Sequence, residues 1–176
     1  AYGMCFHGFG HGVLSFSGYE LPKAVEFCER VGTPEYNDRE YLECVGGAIM
    51  EMRDGVYGPE AWEVQKDELY REDDPLYPCS ADFMSDNVKP ICYDYLTPHL
   101  WEVVGGDVGF PKEEDFKKAF RLCETITDPE SREGCFSGFG KEFVGLVLSR
   151  DTRIDTIAKL QTDQYVQVYN WCMLSE

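Results

Sequence analysis

The placement of the cysteines restricts what this chain can fold into more than any other feature of it. A stretch of helical character ends near one cysteine, a polar turn follows, and a second helical stretch begins near another. One copy runs Ala24-Val25-Glu26-Phe27-Cys28, turns through Gly32-Thr33-Pro34, and resumes as Tyr41-Leu42-Glu43-Cys44-Val45-Gly46-Gly47. Another runs Ala119-Phe120-Arg121-Leu122-Cys123, turns through Thr127-Asp128-Pro129, and resumes as Gly134-Cys135-Phe136-Ser137-Gly138. A looser third has Cys79, a turn around Ser85-Asp86-Asn87, and Cys92-Tyr93-Asp94-Tyr95. Second-position cysteines thus recur at 5, 44, 92, 135 and 172. A spacing of roughly 40 residues is that of αα-hairpin repeats. The two ends read as partial units: Cys5 opens a second-helix segment, and Leu160 stands where the last unit would have its first cysteine.

Local signals agree on an all-α fold. Asn37 followed by Glu40 is a capping-box-like start. Asp128-Pro129 places a cap residue before a proline at the first helical position. Leu21-Pro22 and Phe110-Pro111 likewise put proline in an opening turn. Phe116, Ala119, Phe120 and Cys123 follow the 3-and-4 spacing of a buried helical stripe, and no segment alternates with period two for long enough to make a sheet. Gly8, Gly47 and Gly138 each follow a second-position cysteine by three residues. Glycine costs roughly 1 kcal/mol inside a helix, so its recurrence predicts a neighbouring backbone too close for a side chain. Tyr95 breaks the pattern in the third unit and predicts looser packing there. The segment from Asp54 to Pro78, acidic and aromatic, lies outside the repeat. It reads as a long insertion or as a short extra helix over 60–70 within a loop.

Composition narrows the class. At 176 residues the chain suits one domain, residues 1–176, with a real core, and 43% hydrophobic with 14% aromatic residues excludes wholesale disorder. No apolar run approaches the roughly 20 residues that span a bilayer, which points to a soluble protein. No secretory leader is visible, so export implies one already removed. None of the eight cysteines lies in a C-x-x-C pair, and pairs a dozen or so residues apart fit disulfides better than metal knuckles. That points to the periplasm or the extracellular space. A net charge of −17 disfavours nucleic acid and would attract cations or basic proteins, besides keeping the chain soluble.

Together these residues resemble the disulfide-stapled αα-hairpin proteins, the secreted relatives of Sel1-like and tetratricopeptide repeats. The resemblance is one of architecture and carries over no functional residue. It implies that Cys28 pairs with Cys44, Cys79 with Cys92 and Cys123 with Cys135, in an array of about four antiparallel hairpins with a concave face for a peptide or protein. Cys5 and Cys172 then either bridge the two ends or remain thiols.

Chemistry concentrates near the start, in Cys5-Phe6-His7-Gly8-Phe9-Gly10-His11-Gly12. A worn copy returns as Cys135-Phe136-Ser137-Gly138-Phe139-Gly140-Lys141, with serine and lysine in place of the histidines. His7 and His11 are therefore specific to one unit. Four residues apart on a helix, they share a face and can chelate one metal, with zinc or copper suited to imidazole. A third ligand would come from His99, Cys5, Met4 or a carboxylate. Against this stands simple packing of two imidazoles among aromatic neighbours. Gly8 after His7 removes the general base of an H-E-x-x-H metalloprotease. No G-x-S-x-G elbow and no G-x-G-x-x-G fingerprint are present. Glu51, Glu60 and Asp94 read as solvated surface acids, and Glu72-Asp73-Asp74 lacks EF-hand spacing. Tyr57, Trp62, Tyr70 and Tyr77 in the insertion could line a groove.

The first functional reading is a secreted or periplasmic helical-repeat binding protein with a Cu or Zn site at His7 and His11 and a protein or peptide partner, basic by charge. The competing readings are a metal-dependent enzyme using the same histidines, and a structural module in which terminal cysteines link copies into a homo-oligomer.

Overall fold

The structure is a computed structural model describing residues 2–33, 38–107, 110–149 and 162–175. Among the described residues every regular element is a helix. The helices are α1 (Tyr2–Phe16), α2 (Leu21–Glu29), α3 (Arg39–Asp54), α4 (Pro59–Leu69), α5 (Lys89–Val103), α6 (Glu113–Glu124), α7 (Pro129–Ser149) and α8 (Thr162–Cys172), with a short 3-10 turn at Met173–Ser175. Among the described residues no helix is long and apolar enough to cross a membrane.

Helix starts follow the proline and cap signals in most places. Pro22 lies in the first turn of α2 and Pro59 opens α4. Asp128 caps α7 by accepting from the Ser131 N–H at 2.8 Å. Pro111 falls before the start of α6 instead, since Lys112 is that helix's N-cap. Asn37 and Pro34 lie outside the described residues, as does Leu160; Glu40 accepts from the Thr33 hydroxyl at 2.9 Å. Each helix turns an apolar stripe inward: Leu21, Ala24, Val25 and Cys28 on α2, and Phe116, Ala119, Phe120 and Cys123 on α6. Phe116, Phe120, Phe139, Phe143 and Trp171 knit α6, α7 and α8 together through ring contacts.

The odd-numbered helices α1, α3, α5 and α7 form a row and run in the same direction. Their order follows from which backbones meet. A Cβ on Gly47 of α3 would sit 1.9 Å from the His7 carbonyl oxygen, and one on Gly10 of α1 would sit 1.9 Å from that of Cys44. At the other end of the row, Cβ atoms on Gly134 and Gly138 of α7 would meet the carbonyls of Pro90 and Asp94 at 2.2 and 2.3 Å. The expected close approaches therefore hold at Gly47 and Gly138. They fail at Gly8, around which nothing lies within 4 Å, because α1 turns Gly10 to its neighbour instead. Tyr95 does not loosen the third unit. Its ring packs over Gly46 of α3 while α7 closes on the α5 backbone.

Three disulfides join Cys28 to Cys44, Cys79 to Cys92 and Cys123 to Cys135. The first and third clip α2 to α3 and α6 to α7. The second ties a turn-rich segment, not a helix, to α5, because Asp74-Pro75 and Tyr77-Pro78 break the chain before Cys79. Cys5 and Cys172 are exposed free thiols, the unbridged alternative. The acidic insertion resolves into the short-helix alternative, α4, with the Trp62 indole N–H donating to the Met52 carbonyl at 2.7 Å.

Candidate functional site

His7 and His11 lie one turn apart on α1 and face α3, as their spacing requires. Their ring centroids are 5.3 Å apart, with the planes at 65°. Behind them α3 supplies two carboxylates. His11 Nδ1 lies 3.0 Å from Glu51 Oε2, and His7 Nδ1 lies 3.8 Å from Glu43 Oε2. A carboxylate only accepts, so His11 donates from Nδ1 and its Nε2 carries the lone pair. His7 Nδ1 is too far from Glu43 for a hydrogen bond and is buried without a partner among the described residues.

Glu51 is the unexpected member. It is 0% exposed, so its assignment to the solvated acidic surface is wrong. Its burial is supported by a full set of donors: the Tyr19 hydroxyl at 2.6 Å and the Tyr57 N–H at 2.8 Å on Oε1, and His11 on Oε2. A buried charge without partners would cost far more than such a site returns. The signal was present in the sequence, since Glu51 falls on the same helical stripe as Cys44 and Ala48. Burial and the bond to Glu51 push the Tyr19 phenol up to about 12. Burial, reinforced by the nearby His11, pulls the His7 imidazole below its ordinary value, with Glu43 opposing; His7 is neutral at neutral pH, the form that binds a metal.

Aromatic rings extend the site. Tyr57 lies 5.8 Å from His11 and Tyr95 of α5 lies 5.2 Å from His7, centroid to centroid. Lys141 Nζ of α7 lies over the Tyr95 ring, 3.9 Å from its centroid. The late copy of the opening motif thus does separate work. Pro98 has no N–H for the carbonyl of Asp94, and Lys141 Nζ takes that carbonyl at 3.1 Å and the Asp94 carboxylate at 2.9 Å. Asp94 is therefore an ion-paired acid, while Glu60 remains exposed on α4.

His99 is placed elsewhere. It stacks on Tyr70, with centroids 4.1 Å apart and planes at 28°, in a cleft of about 700 Å³ that Trp62 also lines. Burial lowers its pKa to about 4. Cys5 and Met4 are exposed on α1. Among the described residues no group of three or more His, Cys, Asp or Glu side chains is arranged around a single metal position. His7 and His11 are brought together beside the carboxylates of Glu43 and Glu51, and His99 is not grouped with them.

Comparison with known protein families, with curated proteins and with solved structures returned no match.

Proposed function

We propose that this protein is an extracellular or periplasmic helical-repeat binding protein, a stack of disulfide-clipped hairpins that holds Cu(II) or Zn(II) between His7 and His11 and recognises a protein or peptide partner. One observation carries the metal: the two imidazoles stand one turn apart with ring centroids 5.3 Å apart, and His11 gives Nδ1 to Glu51, which leaves its Nε2 to act as a ligand beside the neutral His7. Outer carboxylates of this kind fix the tautomer and raise the basicity of a ligating histidine. The chain fills two coordination positions, and the rest fall to water or to a donor on the partner. The three disulfides support an oxidising compartment.

Calorimetric titration of the metal-free protein with ZnCl2 and CuCl2 tests the reading. One equivalent binds to the wild type, and His7→Ala or His11→Ala abolishes it. Removing the outer support of His11 with Glu51→Gln weakens it by about tenfold in the folded variant. Unchanged binding in the double histidine variant, or no binding to the wild type, ends the proposal.

A second reading, a module that assembles copies, is favoured by the two exposed thiols, which sit on α1 and α8, the first and last of the described α-helices. Light scattering with and without reductant decides it: a reductant-sensitive oligomer that Cys5→Ser or Cys172→Ser dissolves supports assembly, and a monomer under both conditions removes it.

A further inference from the structure

The cleft around His99 lies where three helices end. Arg53 and Asp54 close α3, Leu69 closes α4 just before Tyr70, and Glu102 and Val103 close α5. A helix C-terminus carries the negative end of the macrodipole, so three such ends turned to one cleft favour a cation within it. The side chains point the same way. Arg53 is held by Asp54 through Nε and a terminal nitrogen, the latter at 3.0 Å, and Lys66 by Glu63 at 2.6 Å. Arg71 lies over the Tyr77 ring at 3.9 Å. Asp67, Glu72 and Glu102 line the cleft, are exposed, and form no ion pair among the described residues. His99 adds no positive charge, since burial keeps its imidazole neutral at neutral pH. Trp62 and the Tyr70–His99 stack supply aromatic rings, and Lys66 Nζ, 5.7 Å from the Trp62 centroid, already sets a cation over the first of them.

We propose that this cleft binds the guanidinium group of an arginine side chain presented by a basic polypeptide, its plane against Trp62 and Tyr70 and its N–H groups directed to Asp67, Glu72 and Glu102. A guanidinium matches both features at once, because it stacks on aromatic rings and donates through a planar fork to carboxylates. An ammonium can lie over a ring, as Lys66 does over Trp62, but it lacks the planar fork that carboxylates recognise. The net charge of −17 steers such a partner toward the protein without specifying where it docks. The inference deepens the reading of a protein partner and stands apart from the histidine pair.

The test uses the intact protein in EDTA, so a failure of the metal reading cannot imitate a failure here. Calorimetry compares a short capped Gly/Ser peptide carrying one arginine with the same peptide carrying citrulline, which keeps the shape and loses the charge. The arginine peptide binds and the citrulline peptide binds about tenfold more weakly or worse. Asp67→Asn/Glu72→Gln/Glu102→Gln weakens the arginine peptide by about tenfold. Glu29→Gln/Glu124→Gln/Glu133→Gln removes the same charge from exposed positions on α2, α6 and α7 and changes the affinity less than about twofold. Equal losses in the two triple variants, or equal binding of the citrulline peptide, overturn the site. Nα-acetyl-arginine amide binding as tightly as the peptide would overturn the polypeptide as its source.

Discussion

Tyr19, Tyr57 and His11 converge on Glu51 from outside α3, so the carboxylate works as a buried hub that ties α1 and the chain after α3 to that helix. Glu51→Gln presents an amide N–H to donors and should cost about 3 kcal/mol, with Tyr19→Phe costing about 1.5 kcal/mol, both read by urea unfolding. His99 governs a different response. In the folded chain it titrates near 4, against 6.5 for an unperturbed imidazole. The unfolded chain therefore binds more protons between those values, and stability falls as pH drops from about 6.5 to about 4. His99→Phe keeps a ring against Tyr70 and removes the titration. The urea midpoint of that variant should fall less steeply than the wild type across this window; identical slopes would contradict the assignment. Glu51 shows why the site was only partly legible in the sequence. The i, i+4 histidines could be read as a pair because their geometry is intrinsic to one helix. The stripe of Cys44, Ala48 and Glu51 marks the inward side of α3, but the donors that hold a carboxylate there depend on where α1 and Tyr19 come to rest, which no local pattern states.

At the scale of elements, contacts between helices rest on glycine only where a backbone passes. Gly47→Ala would drive a methyl group into the His7 carbonyl and separate α1 from α3, at a cost of about 3 kcal/mol. Gly8→Ala, in open space on an exposed helix face, should stabilise the protein by about 0.5–1 kcal/mol. Thermal or urea unfolding of the two variants side by side checks both signs. The contrast also marks what sequence reading could reach. That glycine follows the cysteine pattern was visible at Gly8, Gly47 and Gly138 alike. Which of them meets a neighbour depends on the rotation of each helix about its axis, and α1 is rotated so that Gly10 takes the role. The second disulfide is a similar case: Cys79 and Cys92 were recognisable partners, yet Pro75 and Pro78 leave a turn where a helix was expected.

Across the whole molecule, charge and cross-links act in opposite directions. A net charge of −17 repels itself in the compact state. Raising ionic strength from about 0.01 to 0.15 M shortens the screening distance from about 30 to 8 Å and should raise the melting temperature, as scanning calorimetry at the two salt concentrations would show. The disulfides counter that repulsion, and Cys28→Ala/Cys44→Ala should cost about 3 kcal/mol for a sequence separation of 16. Every bridge joins cysteines that are consecutive in the chain, and competing neighbours such as Cys5 with Cys28 or Cys44 with Cys79 lie farther apart. Short loops close at lower entropic cost, so as the polypeptide emerges into an oxidant the correct partner is also the one it meets most readily. Such a chain can mature step by step from its N-terminal side, with little need for an isomerase to undo mistaken links.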